Sequence, residues 1–136
     1  MKTQVIQTAA GHTVSAQVFP AHDLSNSKGV CIIATATGVA QRLYEDFANW
    51  LAEQNYTAVS FDYDGIGLSI DGHVKNSKSD KLSWGKNDCP AVLEFVKNQY
   101  PNQEITWIGH SVGAHMLGFM ENTHGITKAI TVGAGT

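Results

Sequence analysis

Apolar and polar side chains alternate with period two near the start of the chain. Val14, Ala16 and Val18 fall on one side, and Thr13, Ser15 and Gln17 on the other. That spacing predicts a half-buried β-strand, and residues 5–8 followed by a turn at Gly11 predict an opening hairpin. After the polar loop 23–28 the grammar changes. Residues 29–36, Gly-Val-Cys-Ile-Ile-Ala-Thr-Ala, form a near-continuous apolar run of the kind that is buried on both faces in a parallel sheet. From there apolar strands alternate with helices. Leu43, Tyr44, Phe47, Ala48, Trp50 and Leu51 recur at helical spacing, and residues 57–61 read as the next strand. A second helix is expected to start near Asp88, with Asp88 as its N-cap, Pro90 in its first turn and Val92, Phe95 and Val96 on its core face. Residues 104–108 predict another strand. An apolar helix pattern follows through Val112, Ala114, Met116, Leu117, Phe119 and Met120, and a last strand at 127–132. The order predicts an α/β fold: a mostly parallel sheet with antiparallel opening strands and helices on both faces, joined by right-handed crossovers.

At 136 residues the chain fits one domain, and 43% hydrophobic against 15% charged residues is a globular balance. A formal net charge of -3, with no cluster of Lys and Arg, argues against a nucleic-acid partner. No apolar run is long enough to span a bilayer, and the N-terminal residues have no secretory apolar core, so a cytoplasmic protein is expected. Cys31 and Cys89 are far apart in unlike settings. They predict two reduced, buried thiols rather than a disulfide framework. The sequon Asn55-Tyr-Thr57 carries no meaning without a signal peptide. No histidine pair has metal-ligand spacing, so neither a metal nor a cofactor is expected.

The chemistry concentrates at Gly109-His-Ser-Val-Gly113, a G-x-S-x-G pentapeptide between an apolar strand pattern and an apolar helix pattern. In that setting the chain must reverse within one or two residues. The serine is then in strained backbone, and a Cβ at Gly109 or Gly113 would collide with the neighbouring strand or helix. Ser111 is therefore the expected nucleophile, its hydroxyl raised at the carboxyl end of the strand. There the first N–H groups and the dipole of the following helix face a developing oxyanion.

This turn, with Ala36-Thr-Gly-Val39 after the third strand, Phe61-Asp-Tyr-Asp-Gly-Ile-Gly-Leu-Ser69 after the fourth and Trp84-Gly-Lys-Asn-Asp88 before the second helix, resembles the N-terminal portion of an α/β-hydrolase-fold enzyme. The likeness is greatest to the serine aminopeptidase and monoglyceride-lipase-like group, and it covers nearly the whole chain. It implies acyl transfer on a small-molecule ester, thioester or amide. Thr37 and Gly38 would stand where the family places a His-Gly pair. The backbone N–H of Val39 would supply one oxyanion donor and that of Val112 the other. Gly38, His110 and Asp64 would line the site. Asp64 stands where an arginine is usual in the family's Asp-x-Arg-Gly-x-Gly-x-Ser loop, which reverses a charge at the rim and would disfavour anionic substrates. The glycines Gly65 and Gly67 read as a tight turn rather than a dinucleotide site, because Ile70 occupies the third glycine position.

A serine hydroxyl needs a base, normally a histidine oriented by a carboxylate, and in this fold both follow the serine in the chain. After Ser111 only His115, Glu121 and His124 are available, all in or just after the helix that begins at the serine. His110 is expected to pack or hydrogen-bond in the turn, His73 to sit in a solvated loop, and His12 and His22 to carry no chemistry. These residues therefore read as the N-terminal half of a longer enzyme cut after the sixth strand. The last strand then needs cover from a missing segment or from a second copy in a homodimer. The alternative is a non-catalytic half-domain that binds a small apolar ligand or a protein partner.

Overall fold

The structure is a computed structural model, and it describes residues 1–36, 41–63, 83–120 and 122–133. Six strands form one sheet in the order β1-β2-β4-β3-β5-β6. β1 (Lys2–Gln7) and β2 (Thr13–Phe19) are the predicted hairpin, antiparallel in register Ile6↔Val14. β2 also pairs antiparallel with β4 (Thr57–Phe61). β3 (Val30–Ala34), β4, β5 (Ile105–His110) and β6 (Lys128–Val132) run parallel. The mostly parallel sheet with an antiparallel opening is the predicted architecture.

The continuous apolar run has a direct physical outcome in β3. Val30, Ile32 and Ala34 enter one core, with Val14, Ala16, Val59, Phe61, Trp107 and the helix α2 (Cys89–Gln99). Cys31 and Ile33 enter a second core on the opposite face, against Ala48, Leu51 and Ala52 of helix α1 (Glu45–Glu53). All five β3 side chains are buried, as the unbroken apolar run requires. Both thiols are free and buried, and burial pushes Cys31 from the ordinary 9.0 up to about 11 and raises Cys89 well above its ordinary value.

Four features differ from the sequence reading. Asp88 is not an N-cap: its backbone is helical and its side chain caps nothing. The helix begins earlier, in a π-helical turn Trp84–Asp88 that runs straight into α2. There Gly85 lies so close to Phe119 that a Cβ would overlap it. Asp88 is instead fully buried, with Oδ1 2.6 Å from Nε2 of His12 at the tip of the opening hairpin, so His12 does have a partner. The helix after Ser111 is short, one turn as α3 (Val112–His115) followed by a 3-10 turn Met116–Gly118. Last, the apolar stripe of α1 is only partly core. Leu43, Phe47 and Trp50 are exposed, and with the wholly exposed strand β6 they leave an apolar face uncovered.

Candidate active site

β5 is flanked by β3 and β6 and delivers Ser111 beyond its carboxyl end. Ser111 has φ +55° and ψ −114°, and it is one of two non-glycine residues with positive φ among those described. This is the conformation of the first corner of a II′ turn, which glycine dominates because a Cβ is crowded there. What holds it is visible on every side. The Ser111 N–H donates to the Val132 carbonyl at the end of β6 (2.9 Å), and the Ser111 carbonyl accepts from the Ala114 N–H (3.0 Å). The buried Trp107 indole donates through Nε1 to the Gly113 carbonyl (3.0 Å). A Cβ on Gly109 would lie 2.5 Å from the Ala114 backbone, and one on Gly113 would enter the Ala34 carbonyl. The two glycines therefore let the turn pack against β3, as their positions predict.

The Ser111 side chain makes no capping bond, and the residue is half-buried. Val112 is the first residue of α3, and its N–H has no partner within that helix. Because α3 is a single turn, its contribution to an oxyanion would come from that N–H itself more than from a summed dipole. Among the described residues no histidine is hydrogen-bonded to Ser111. His115 is exposed on α3, and His124 is exposed in the turn Thr123–Gly125. His110 bonds elsewhere: its Nδ1 is 2.8 Å from the Tyr44 hydroxyl, with the rings edge-on. The expectations for Thr37, Gly38, Val39, Asp64, Gly65, Gly67, His73 and Glu121 lie outside the described residues.

Sequence reasoning missed the polar framework behind the site. Asp62, buried at the end of β4, accepts from the Gln41 N–H (2.7 Å) and from Gln41 Nε2 (2.9 Å). Gln41 Oε1 accepts from the Ser60 hydroxyl (2.9 Å), and Nε2 also reaches the Ser15 carbonyl (3.1 Å). The network ties β2, β4 and the 3-10 turn Gln41–Tyr44 into one unit below the carboxyl ends of the strands. The only local signal was Asp62 as the first residue of the loop that resembles the family pattern. Tyr63 stacks on Trp84 at 4.5 Å and donates its hydroxyl to the Thr35 carbonyl (2.8 Å). Desolvation, its largest cause, raises the Tyr63 hydroxyl far above its ordinary value, so this donor keeps its proton. Among the described residues no group of His, Cys, Asp and Glu could hold a metal ion, and no helix is long and apolar enough to cross a membrane.

The strand order, the crossovers and the strained serine at the carboxyl end of a central strand define an α/β-hydrolase fold. Solved structures agree. A thermostable carboxyl esterase from Bacillus coagulans superposes with TM-score 0.78 at 18% identity, covering 96% of this chain and 43% of its own. A monoglyceride lipase from Saccharomyces cerevisiae, solved as a soluble variant with a substrate analogue, gives TM-score 0.76 at 16% identity, covering 96% and 45%. An α/β serine hydrolase homologue from Coxiella burnetii gives 0.74 at 18%, covering 96% and 61%. The chain thus spans less than two thirds of each. The family pattern of serine aminopeptidase, S33, matches residues 25–134, and the chain belongs to that family. No match was found among curated proteins.

Proposed function

We propose that the protein is an esterase- or lipase-like hydrolase that works by acyl transfer, with Ser111 as nucleophile. Oγ attacks the carbonyl carbon of an ester, thioester or amide. The carbonyl oxygen becomes an oxyanion held by the N–H groups of Val112 and Val39, and the alcohol, thiol or amine leaves with a proton. The single observation that carries the reading is the backbone of Ser111: a left-handed serine between two glycines that cannot be enlarged. Strain of about 1–3 kcal/mol persists where the surroundings over-determine it, and such residues cluster at active sites. Family membership and the esterase and lipase neighbours support the same class. Substrates are small and uncharged at the scissile group in this reading, and Asp64, which stands in the sequence where the family pattern has an arginine, would work against anions.

The base that accepts the Oγ proton, and the acid that orients it, are taken to come from the counterpart of the part that the longer solved structures do not share with this chain, following the order serine, acid, histidine. The experiment is labelling with a fluorophosphonate, which reacts with an activated serine only, combined with ester hydrolysis by Ser111→Ala. Loss of both labelling and turnover supports the proposal; hydrolysis retained by Ser111→Ala removes Ser111 from the mechanism. A non-catalytic half-domain that binds an apolar ligand or a partner, a second copy included, is the second reading. It is favoured by the exposed β6 and by the absence of a histidine on Ser111 among the described residues. Robust labelling at Ser111 counts against it.

A further inference from the structure

The ladder between β3 and β5 ends at the pair Ala34↔Gly109. Past that rung the chain runs on from β3 through Thr35 and Ala36, and from β5 through His110 to Ser111. In the function proposed above the β5 branch carries both the nucleophile and the Val112 N–H, so its distance from the end of β3 sets where they stand. An oxyanion hole tolerates errors of only about 0.5 Å. The register of β3 with β5 ends at that rung, and what holds the serine turn to β3 in the backbone past it is the close approach of Gly113 to the Ala34 carbonyl.

One side chain bridges the gap. The Tyr44 hydroxyl accepts the Ala36 N–H at 3.2 Å and lies 2.8 Å from His110 Nδ1, reaching both branches from the 3-10 turn Gln41–Tyr44. A phenol oxygen that accepts one N–H still has its own proton to give, and the nearest acceptor is Nδ1. That assigns Nδ1 of His110 the acceptor role and leaves the ring proton to Nε2. From the opposite face of the sheet Tyr63 donates to the Thr35 carbonyl, so consecutive residues at the end of β3 are each held by a tyrosine. Of the two tyrosines, Tyr44 is the one that connects that end to the serine branch.

We propose that Tyr44 is a positioning residue: its hydroxyl acts as an extra rung between the ends of β3 and β5 and sets the distance of the serine turn from the end of β3. It touches no reacting atom. It also explains why the residue before the serine is a histidine, whose Nδ1 reaches back along the strand to accept. The inference rests on the acyl-transfer reading for its kinetic consequence, though not for the hydrogen bond itself.

Two measurements test it. Nitrogen-15 NMR of histidine-labelled protein reads the His110 tautomer; the expected result is Nε2–H with a hydrogen-bonded, unprotonated Nδ1, and a shift of Nδ1 to its unbonded position in Tyr44→Phe. A proton on Nδ1 in the parent protein, or no change in Tyr44→Phe, overturns the proposal. In parallel, hydrolysis of p-nitrophenyl butyrate by Tyr44→Phe is expected to lose about tenfold in kcat with KM unchanged, since misplacement by a fraction of an ångström affects the transition state more than substrate binding. His110→Leu should lose a similar factor and the double variant no more than either, because both remove the same rung. An unchanged kcat in Tyr44→Phe, or losses that multiply, overturns it; if Tyr44→Phe does not fold, His110→Leu carries the kinetic arm. Activity surviving Ser111→Ala would instead refute the proposed function and leave the NMR result to decide the bridge.

Discussion

Replacing Ser111 by alanine and by glycine should separate what the residue does from what its backbone costs. Both variants remove Oγ, and because that hydroxyl makes no capping bond in the folded chain, its loss is the same in each. They differ in the Cβ. At φ +55° and ψ −114° a Cβ is crowded by its own backbone, a penalty of about 1–3 kcal/mol that alanine keeps and glycine releases. Against this, glycine gains more conformational freedom on unfolding, which costs about 0.5–1 kcal/mol. The balance favours Ser111→Gly over Ser111→Ala by about 1 kcal/mol. For a chain of this size that is about 3–4 °C in Tm, or about 0.5 M in urea midpoint. Thermal and urea unfolding of the pair, followed by far-ultraviolet circular dichroism at one pH, measures it. If Ser111→Gly is no more stable than Ser111→Ala, the turn is not strained, and the observation that carries the nucleophile assignment loses its force. Neither variant should hydrolyse esters.

Gly113→Ala drives a Cβ into the Ala34 carbonyl, and the backbone of β3 has little room to yield; a loss of about 3 kcal/mol in urea unfolding is expected, together with fluorophosphonate labelling. Trp107→Phe leaves the buried Gly113 carbonyl without its donor and should destabilise by about 1–3 kcal/mol, again read from the urea midpoint. The buried thiols give a pH prediction. Cys31 is at about 11 in the folded chain against 9.0 ordinarily, so the folded state holds a proton that the unfolded chain releases. Its contribution is complete below pH 9 and is lost as pH rises toward 11, so stability should fall over that window and fall less steeply in Cys31→Ala. For the same reason, a disulfide reagent at pH 8 should modify Cys31 and Cys89 only after denaturant is added.

The strands and the serine turn were legible because both rest on local rules. Period-two alternation names the inward face of β2, an unbroken apolar run marks β3 as buried on both faces, and G-x-S-x-G names a turn whose glycines leave no room for a Cβ. What was not legible is long-range polar pairing. His12 and Asp88 are 76 positions apart, and Tyr44 and His110 are 66 apart. No spacing rule relates them; only the sheet order brings them together. Asp88 was misread for a related reason: an Asp two residues before a Pro carries the local signature of a cap, while the π-helical turn that extends the helix backward depends on Gly85 meeting Phe119 from another part of the chain. An apolar stripe such as Leu43, Phe47 and Trp50 reports only that a face is apolar. Whether anything covers it is a property of the assembly, which periodicity does not contain.

The bond from Trp107 to Gly113 gives the protein an internal optical probe. Its three tryptophans differ in setting: Trp50 is 52% exposed, Trp84 is stacked on Tyr63, and Trp107 is wholly buried with its indole N–H held at the serine turn. Iodide will quench the first and spare the other two, and the excited indole of Trp107 will report the polarity of the turn through its N–H. Fluorescence that survives iodide but changes when a covalent phosphonate is formed at Ser111 would let acylation be followed in real time without a chromogenic substrate.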